Sequence, residues 1–396
     1  MRKITLRPFE KLLIFMTIWV YFSLNANYLN FPGSHIFRWV CPGILIILTI
    51  VKQGGKIIKP PRILLYITCA VFPSIIFSVY VSTAFIKYIS LVVVFYGSYI
   101  FFSSLNNTQF LKEHFNILAY ILIIYQILNT IFVVLGINYD SGRALGITTN
   151  ANTLGVYANL SYWAIIYVLQ GTKKVYLKII NCLLLMTCVM SVIASGSRTA
   201  FVVLVLDILI TGFLLFRHSP LILVFVTGCI LMIYLFYSGK LTSINILALN
   251  RLMEKGGIER TDLWQAAFNL WREHRIFGVG YTVSNFFNPI EPGMAFHNSY
   301  ISYLVENGIW GCIILGIGII ELLFYIIYSL RKCRNKFEGK LGELTVVCTM
   351  LVVLLIAAWS ESFLFAVGST EGFTFWFLLA WLLSYIHKLY HEERVL

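Results

Sequence analysis

The chain has very little charge. Of its 396 residues only 12% are Asp, Glu, Lys or Arg, while 59% are hydrophobic, and its mean hydropathy is +0.83. Such a composition excludes a water-soluble globule. Alternation of apolar and polar residues over about 10 positions, which would mark a membrane β-barrel, is also missing. Aspartate is nearly absent, at positions 140, 207 and 262 alone, so no Asp-x-Asp pair exists to hold a divalent cation beside a diphosphate. The cysteines, at 41, 69, 182, 188, 229, 312, 333 and 348, leave the long stretch 239–298 empty. That excludes an external domain stapled by disulfides, and their spacing fits no metal centre. Gly278-Val279-Gly280 is followed by Val283 where a dinucleotide loop would place its third glycine, and no strand precedes it. No internal repeat is evident.

What is present in quantity is long apolar runs. Crossing ~30 Å of hydrocarbon takes about 20 apolar residues whose backbone groups are satisfied within a helix. Runs at 11–30, 36–51, 63–81, 84–104, 115–136, 151–169, 175–194, 199–216, 219–238, 299–330, 342–360 and 372–390 predict an all-α polytopic membrane protein with about twelve spans. The first run is too long, and too poor in small residues at its end, for a removed signal peptide, so it reads as a retained span. The whole chain, 1–396, reads as one integral membrane domain with a long external loop, 239–298, between the ninth and tenth helices.

Lysine and arginine orient this arrangement. With both termini cytoplasmic, 20 of the 30 basic residues fall on the inner side, and six of the outer ten sit in the one long loop, which the positive-inside rule hardly counts. The formal charge of +13 therefore reports membrane topology and gives no reason to invoke nucleic acid.

The polar residues of interest gather on the predicted outer side. Loop 137–150 carries Arg143 among small residues and leads to Asn150 and Asn152. Gly142 and Gly146 would let backbone approach a ligand, with Arg143 presenting a fork to phosphate; an ordinary turn with a solvated arginine and a helix cap is the alternative. Ser195-Gly196-Ser197-Arg198-Thr199-Ala200 joins two spans too tightly for a solvated loop, so Arg198 stays at the interface and needs an anionic partner, which a lipid headgroup could also supply. Asp207, nine residues on, reads as a structural residue. Residues 261–275 predict an amphipathic helix capped by Thr261 or Asp262, with Leu263, Trp264, Ala267, Phe268 and Trp271 on its apolar side. Arg260 precedes its first turn, where free N–H groups already favour an anion. His297-Asn298 opens the tenth span, followed by Glu306, Gly308 and Gly311, glycines that would permit close helix packing. Arg38 and Lys87 read as side chains snorkelling to the interface. Glu361 and Glu371 bracket the last outer loop as candidates for a site wall.

Arg143, Arg198, Arg260 and His297 thus share one side. Arginines at the interface can hold a diphosphate carried on a buried lipid tail, and an imidazole can orient or deprotonate a hydroxyl. A lipid-glycan flippase would instead need ionisable groups deep in several spans; only Asp207 and Glu321 qualify.

At these residues the chain resembles a known family. His297-Asn298, nine residues, Gly308, two residues, Gly311 is similar to the motif of the O-antigen ligase and O-antigen polymerase superfamily. Arg260-x-x-Leu263-Trp264 and Ile276-Phe277-Gly278-Val279-Gly280-Tyr281 resemble the segment that precedes it there. Residues 195–200 resemble its Ser-Arg signature, and Asn150-Ala151-Asn152 resembles its Asn-Pro-Asn turn, with Ala151 in place of proline. An Arg followed by ten residues and Gly, seen in some polymerases, is missing.

The resemblance implies a GT-C-like, metal-independent glycosyltransferase without a cofactor, in the bacterial inner membrane, with its active site facing the periplasm or exterior. Its donor would be an undecaprenyl-diphosphate-linked oligosaccharide, and its pathway neighbours a flippase and a chain-length regulator. Arg198 and Arg260 would bind the donor diphosphate, His297 would engage the acceptor hydroxyl, and Arg143, Asn152, Asn298 and Glu306 would line the donor and glycan site. The form of the His297–Gly311 segment resembles polymerases, which extend a lipid-linked glycan; ligases, which transfer it to lipid A-core, are the second reading.

Overall fold

The computed structural model describes residues 7–216, 258–332 and 342–392. Among these it holds twelve α-helices. They are α1 (Arg7–Leu24), α2 (Ser34–Lys52), α3 (Arg62–Ile76), α4 (Val81–Ser104), α5 (Thr108–Val134), α6 (Ala151–Gly171), α7 (Val175–Ser195), α8 (Arg198–Phe216), α9 (Ile258–Glu273), α10 (Ser299–Lys332), α11 (Glu343–Ala357) and α12 (Thr370–Glu392). Six of them, α2, α4, α5, α7, α10 and α12, are long and apolar enough to cross a membrane, which makes the chain a multi-pass helical membrane protein. The predicted ninth helix, 219–238, and residues 239–257 of the predicted loop lie outside the described residues. At 15 residues each, α3 and α11 extend only about 22 Å at 1.5 Å per residue, shorter than the predicted spans 63–81 and 342–360.

Local sequence explains the helix ends. Asn107 caps α5 by accepting the Phe110 N–H at 3.1 Å. Gly196, at φ 58°, closes α7 in the left-handed conformation. A hairpin, β1 (Tyr139–Asp140) and β2 (Arg143–Ala144), turns through Ser141 and Gly142, both at positive φ. Gly142 therefore serves the turn. A Cβ on Gly146 would lie 2.3 Å from Asn129 Oδ1, so its close approach is to α5 and not to a ligand.

Two helices form the centre. The span of α12 is 89% buried, and α6 is buried without interruption from Leu154 to Ile166. A helix apolar on every side belongs inside a bundle. Around them α7 packs on α6 and α4 on α12, while α3 runs along α10. A Cβ on Gly155 of α6 would lie 2.5 Å from the Ala200 Cβ, so α6 and the start of α8 are in close contact. Asp207 of α8 is buried, and its Oδ1 accepts the Trp163 indole N–H at 2.7 Å, in keeping with a structural role.

One end of the bundle is laced with ion pairs, Lys11–Glu113 and Lys52–Glu10 at 2.7 Å and Lys112–Glu343 at 3.1 Å. Glu321 belongs to a comparable pair. It lies 2.7 Å from Arg62 with its side chain 32% exposed, so it is not the deep intramembrane carboxylate that its place in the tenth span suggested. Arg38 and Lys87 do more than snorkel: Lys87 Nζ donates to the Thr282 carbonyl at 2.6 Å and Arg38 reaches the Gly368 carbonyl at 3.5 Å.

The feature that departs furthest from expectation is inside α10. Gly308, at φ 61° and ψ −167°, breaks the helix, a backbone region open essentially only to glycine. The segment 275–280 is spliced against the break. Val279 and Gly280 N–H donate to the Val305 and Glu306 carbonyls, both at 3.0 Å, while Ile309 and Trp310 N–H donate to the Arg275 and Ile276 carbonyls at 2.9 and 3.1 Å. The polar groups freed by the break are thus satisfied. Gly308 therefore breaks a helix where close helix packing was expected of it. Gly311 does pack closely, 3.4 Å from the Ala70 carbonyl of α3 by its would-be Cβ.

Candidate active site

Opposite the ion-paired end, α6, α8, α9, α10 and α12 all begin. Each helix start carries a positive dipole end, which favours bound negative charge nearby. Of the residues singled out from sequence, Asn152, Arg198 and Arg260 lie in first turns of these helices and His297 and Asn298 just before α10, while Arg143 is on β2 and Glu306 two turns into α10. Arg143, Asn152 and His297 are linked through Glu361.

Arg143 is the first link. The hairpin presents its guanidinium between two helices: Nε donates to the Ser195 carbonyl at 2.8 Å and Nη2 to Asn152 Oδ1 at 2.6 Å. The Asn150-Ala151-Asn152 turn divides its labour. Asn150 caps α6 by accepting the Asn152 N–H at 2.8 Å, and Asn152 Nδ2 donates to Glu361 Oε1 at 2.6 Å. The other Glu361 oxygen lies 3.6 Å from His297 Nδ1, and His297 Nε2 lies 3.1 Å from Glu291 Oε2. A continuous polar line thus runs from the end of α7 to the start of α10. Arg143→Lys replaces a two-pronged donor by a single ammonium. Thermal unfolding in detergent is expected to show a loss of about 1.5–3 kcal/mol, the worth of one charged hydrogen bond.

Arg198 is the first residue of α8, with Ser197 as its cap: Ser197 Oγ lies 3.4 Å from the Ala200 N–H. It is half-buried, three residues from the carbonyl that Arg143 holds. Arg260 lies inside the first turn of α9, and Thr261 and Asp262 are within the helix, where sequence had placed them at its cap. The inward face of α9 is Leu263 and Ala267, with Phe268 exposed. Four residues after Arg260, Trp264 donates its indole N–H to the Phe296 carbonyl at 3.1 Å, which brings this helix face to His297.

His297 itself has φ 48°, an uncommon conformation for a residue with a side chain and one that gathers at functional sites. The Glu361 carboxylate is the main cause that raises its pKa above the ordinary 6.5; Glu291 adds to this, while burial and Arg260 oppose it. The raised value means that the ion pair stabilises this region fully below pH 6.5 and loses that contribution as pH climbs through the folded-state pKa.

Asn298 and Glu306 have other commitments. Asn298 is buried, and its Oδ1 accepts the Tyr300 and Ile301 N–H groups at 2.9 and 3.0 Å, capping α10. Ser299 completes the anchorage: its Oγ donates to the Glu361 carbonyl at 2.6 Å and accepts the Phe363 and Leu364 N–H groups, each at 3.1 Å. The His297-Asn298-Ser299 run therefore places Glu361 as well as the helix. Glu306 is buried and accepts the Ser284 hydroxyl at 2.6 Å; its partners are in the loop before the break, not His297.

Sequence reasoning missed Glu291 and underrated Glu361. For Glu361 the signal was its place just before the last helix. Glu291 gave none, because its loop, Pro289 to Gly293, reads as an ordinary turn. Among the described residues no three His, Cys, Asp or Glu side chains are placed to hold a metal ion.

A search of curated proteins finds none that matches this chain significantly. Residues 182–316 match the family model described as O-antigen ligase, a stretch that runs from within α7 into α10. The matched stretch, about a third of the chain, carries Arg198, Arg260, His297 and the Gly308 break, and it supports a likeness to the O-antigen polymerase and ligase superfamily.

Proposed function

We propose that the chain is a GT-C-like glycosyltransferase that transfers glycan from a polyprenyl-diphosphate carrier, undecaprenyl diphosphate in bacteria, to an acceptor hydroxyl at the outer face of the inner membrane. The observation that carries this reading is the line Arg143–Asn152–Glu361–His297 among helix starts, with Arg198 and Arg260 on two of them. Arg198 and Arg260 bind the donor diphosphate; bidentate, charge-assisted bonds strengthen as charge grows on the leaving group, with no metal required. Arg143 braces the site from behind. His297, oriented by Glu361, takes the proton of the acceptor hydroxyl as that oxygen attacks the anomeric carbon and the diphosphate leaves. Inversion is the stereochemical outcome of a single displacement.

The acceptor in this reading is another lipid-linked repeat unit, making the chain a polymerase that works beside a flippase and a chain-length regulator. A second reading is transfer to lipid A-core by a ligase, and the matched family model, described as O-antigen ligase, is compatible with both. Glycan profiling of a deletion strain complemented with wild type, Arg198→Ala or Arg260→Ala tests both. Single repeats on the final acceptor with no long chains identify a polymerase; long chains left on the carrier above an unmodified acceptor identify a ligase. Normal glycans from both variants would discard the site.

Glu361→Gln is expected to act on His297 in two ways. Loss of the carboxylate lowers the imidazole pKa, so the acidic limb of the pH–rate profile moves to lower pH. The ring also loses its orienting charge, which costs part of the about 10²–10⁴-fold that a positioned base contributes.

A further inference from the structure

His297 is held at both nitrogens. Nδ1 faces Glu361, which Asn152 fixes from behind and whose side chain is 19% exposed. Nε2 meets Glu291, whose side chain is 46% exposed. An imidazole between two carboxylates is favoured as imidazolium, a proton on each nitrogen. In that state it cannot accept a proton, and the nitrogen turned away from Glu361 is the one that a hydroxyl must reach.

We propose that Glu291 occupies the seat of the acceptor hydroxyl on His297 Nε2 in the resting protein, and that the acceptor displaces it. This rests on the base role assigned to His297 above. As Glu291 leaves, the imidazolium loses the charge that held its Nε2 proton and passes that proton to water, so His297 becomes neutral, Glu291 remains a carboxylate and one proton goes to solvent. The vacated Nε2 lone pair then accepts the proton of the incoming hydroxyl.

The two carboxylates differ in the way this requires. Glu361 is anchored: Asn152 holds one oxygen and Ser299 its carbonyl. Glu291 is presented by a turn, in which Asn288 Oδ1 accepts the Ile290 and Glu291 N–H groups at 3.1 Å and Met294 N–H returns to the Glu291 carbonyl at 3.0 Å. Its backbone is fixed, but its carboxylate has no partner given by the structure besides His297. An exposed ion pair is a weak tie, so a sugar hydroxyl can compete with it. The charged groups facing His297 are Glu361 from the α11–α12 loop, Glu291 from its own loop and Arg260 from α9. Arg260 repels the imidazolium and so assists the release.

The test uses the full-length protein in detergent micelles. Diethylpyrocarbonate modifies neutral imidazole, and mass spectrometry of the peptide bearing His297 follows its reactivity against pH without any need for turnover. Glu291→Gln is expected to shift this reactivity to lower pH. In transfer assays it is expected to lower the acceptor KM and move the acidic limb to lower pH, with kcat on the alkaline plateau retained. Unchanged His297 reactivity would overturn the proposal, as would a kcat reduced at every pH. Glu291→Ala guards against a residual amide contact and is expected to shift the reactivity in the same direction. Wild-type glycans from a His297→Ala strain would instead remove the base role itself, whatever Glu291 does.

Discussion

His297→Ala is expected to lower glycan transfer by about 10²–10⁴-fold, the range that a positioned general base contributes. The loss should fall on kcat more than on the KM for the lipid-linked donor, because the imidazole meets the acceptor hydroxyl while the arginines meet the diphosphate. Steady-state transfer by purified protein, with donor and acceptor varied separately, separates the two. A donor KM that rises with kcat unchanged would move His297 into donor binding. The variant should fold normally: His297 is part-exposed, and the helix that follows is capped by Asn298. Its unusual φ of 48° also becomes accessible to test, since His297→Gly relieves backbone strain while removing the ring. Equal loss of activity in the Ala and Gly variants would assign the effect to the imidazole and not to the backbone.

Gly308→Ala is expected to cost about 3 kcal/mol or more. The φ/ψ pair at this position is essentially confined to glycine, and forcing a side chain into it costs about 1–3 kcal/mol. A Cβ there would lie 2.2 Å from the Ile276 carbonyl oxygen, and backbone cannot yield as a flexible side chain does. The 275–280 segment must then move, loosening hydrogen bonds worth about 0.5–1.5 kcal/mol each. Against a total stability of about 5–15 kcal/mol this is a large fraction. Thermal unfolding in detergent measures it, with Gly316→Ala as control. That residue is in the same helix with nothing within 4 Å of its would-be Cβ, so its replacement should be neutral or mildly stabilising by about 0.5–1 kcal/mol. Similar losses from both variants would mean that the break is not the source. Activity is expected to fall with Gly308→Ala too, because the spliced segment connects α9, the Arg260 helix, to α10, the His297 helix.

Class and approximate span positions were legible because a bilayer imposes a one-dimensional rule. Apolar runs near 20 residues must be helices, and lysine and arginine orient them, whatever the neighbours. The cap on α6 was legible for a similar reason: Asn150 satisfies an N–H group two residues away, so local sequence contains both partners. The gathering of Arg143, Arg198, Arg260 and His297 at one end followed from span parity alone.

Contacts between distant segments decided the rest. Glu361 stands 64 residues beyond His297 and 209 beyond Asn152, and nothing in its surroundings announces that it joins them. The glycines at 278 and 308 read as a turn and a packing site because each is half of a splice whose other half lies about 30 residues away. Glu306 looked available for substrate because sequence reveals a polar side chain without revealing that a hydroxyl already bonds to it, while Asn298 divides its amide, the oxygen capping α10 and the buried Nδ2 left without a partner among the described residues. The sequence by itself determined a multi-pass helical membrane protein with basic and imidazole side chains at one end, since hydropathy and charge act through the solvent and need no partner. Only the tertiary structure decided which carboxylates flank His297 and where α10 breaks, since hydrogen bonds and close backbone contact are short-ranged and depend on what the fold brings within a few ångströms.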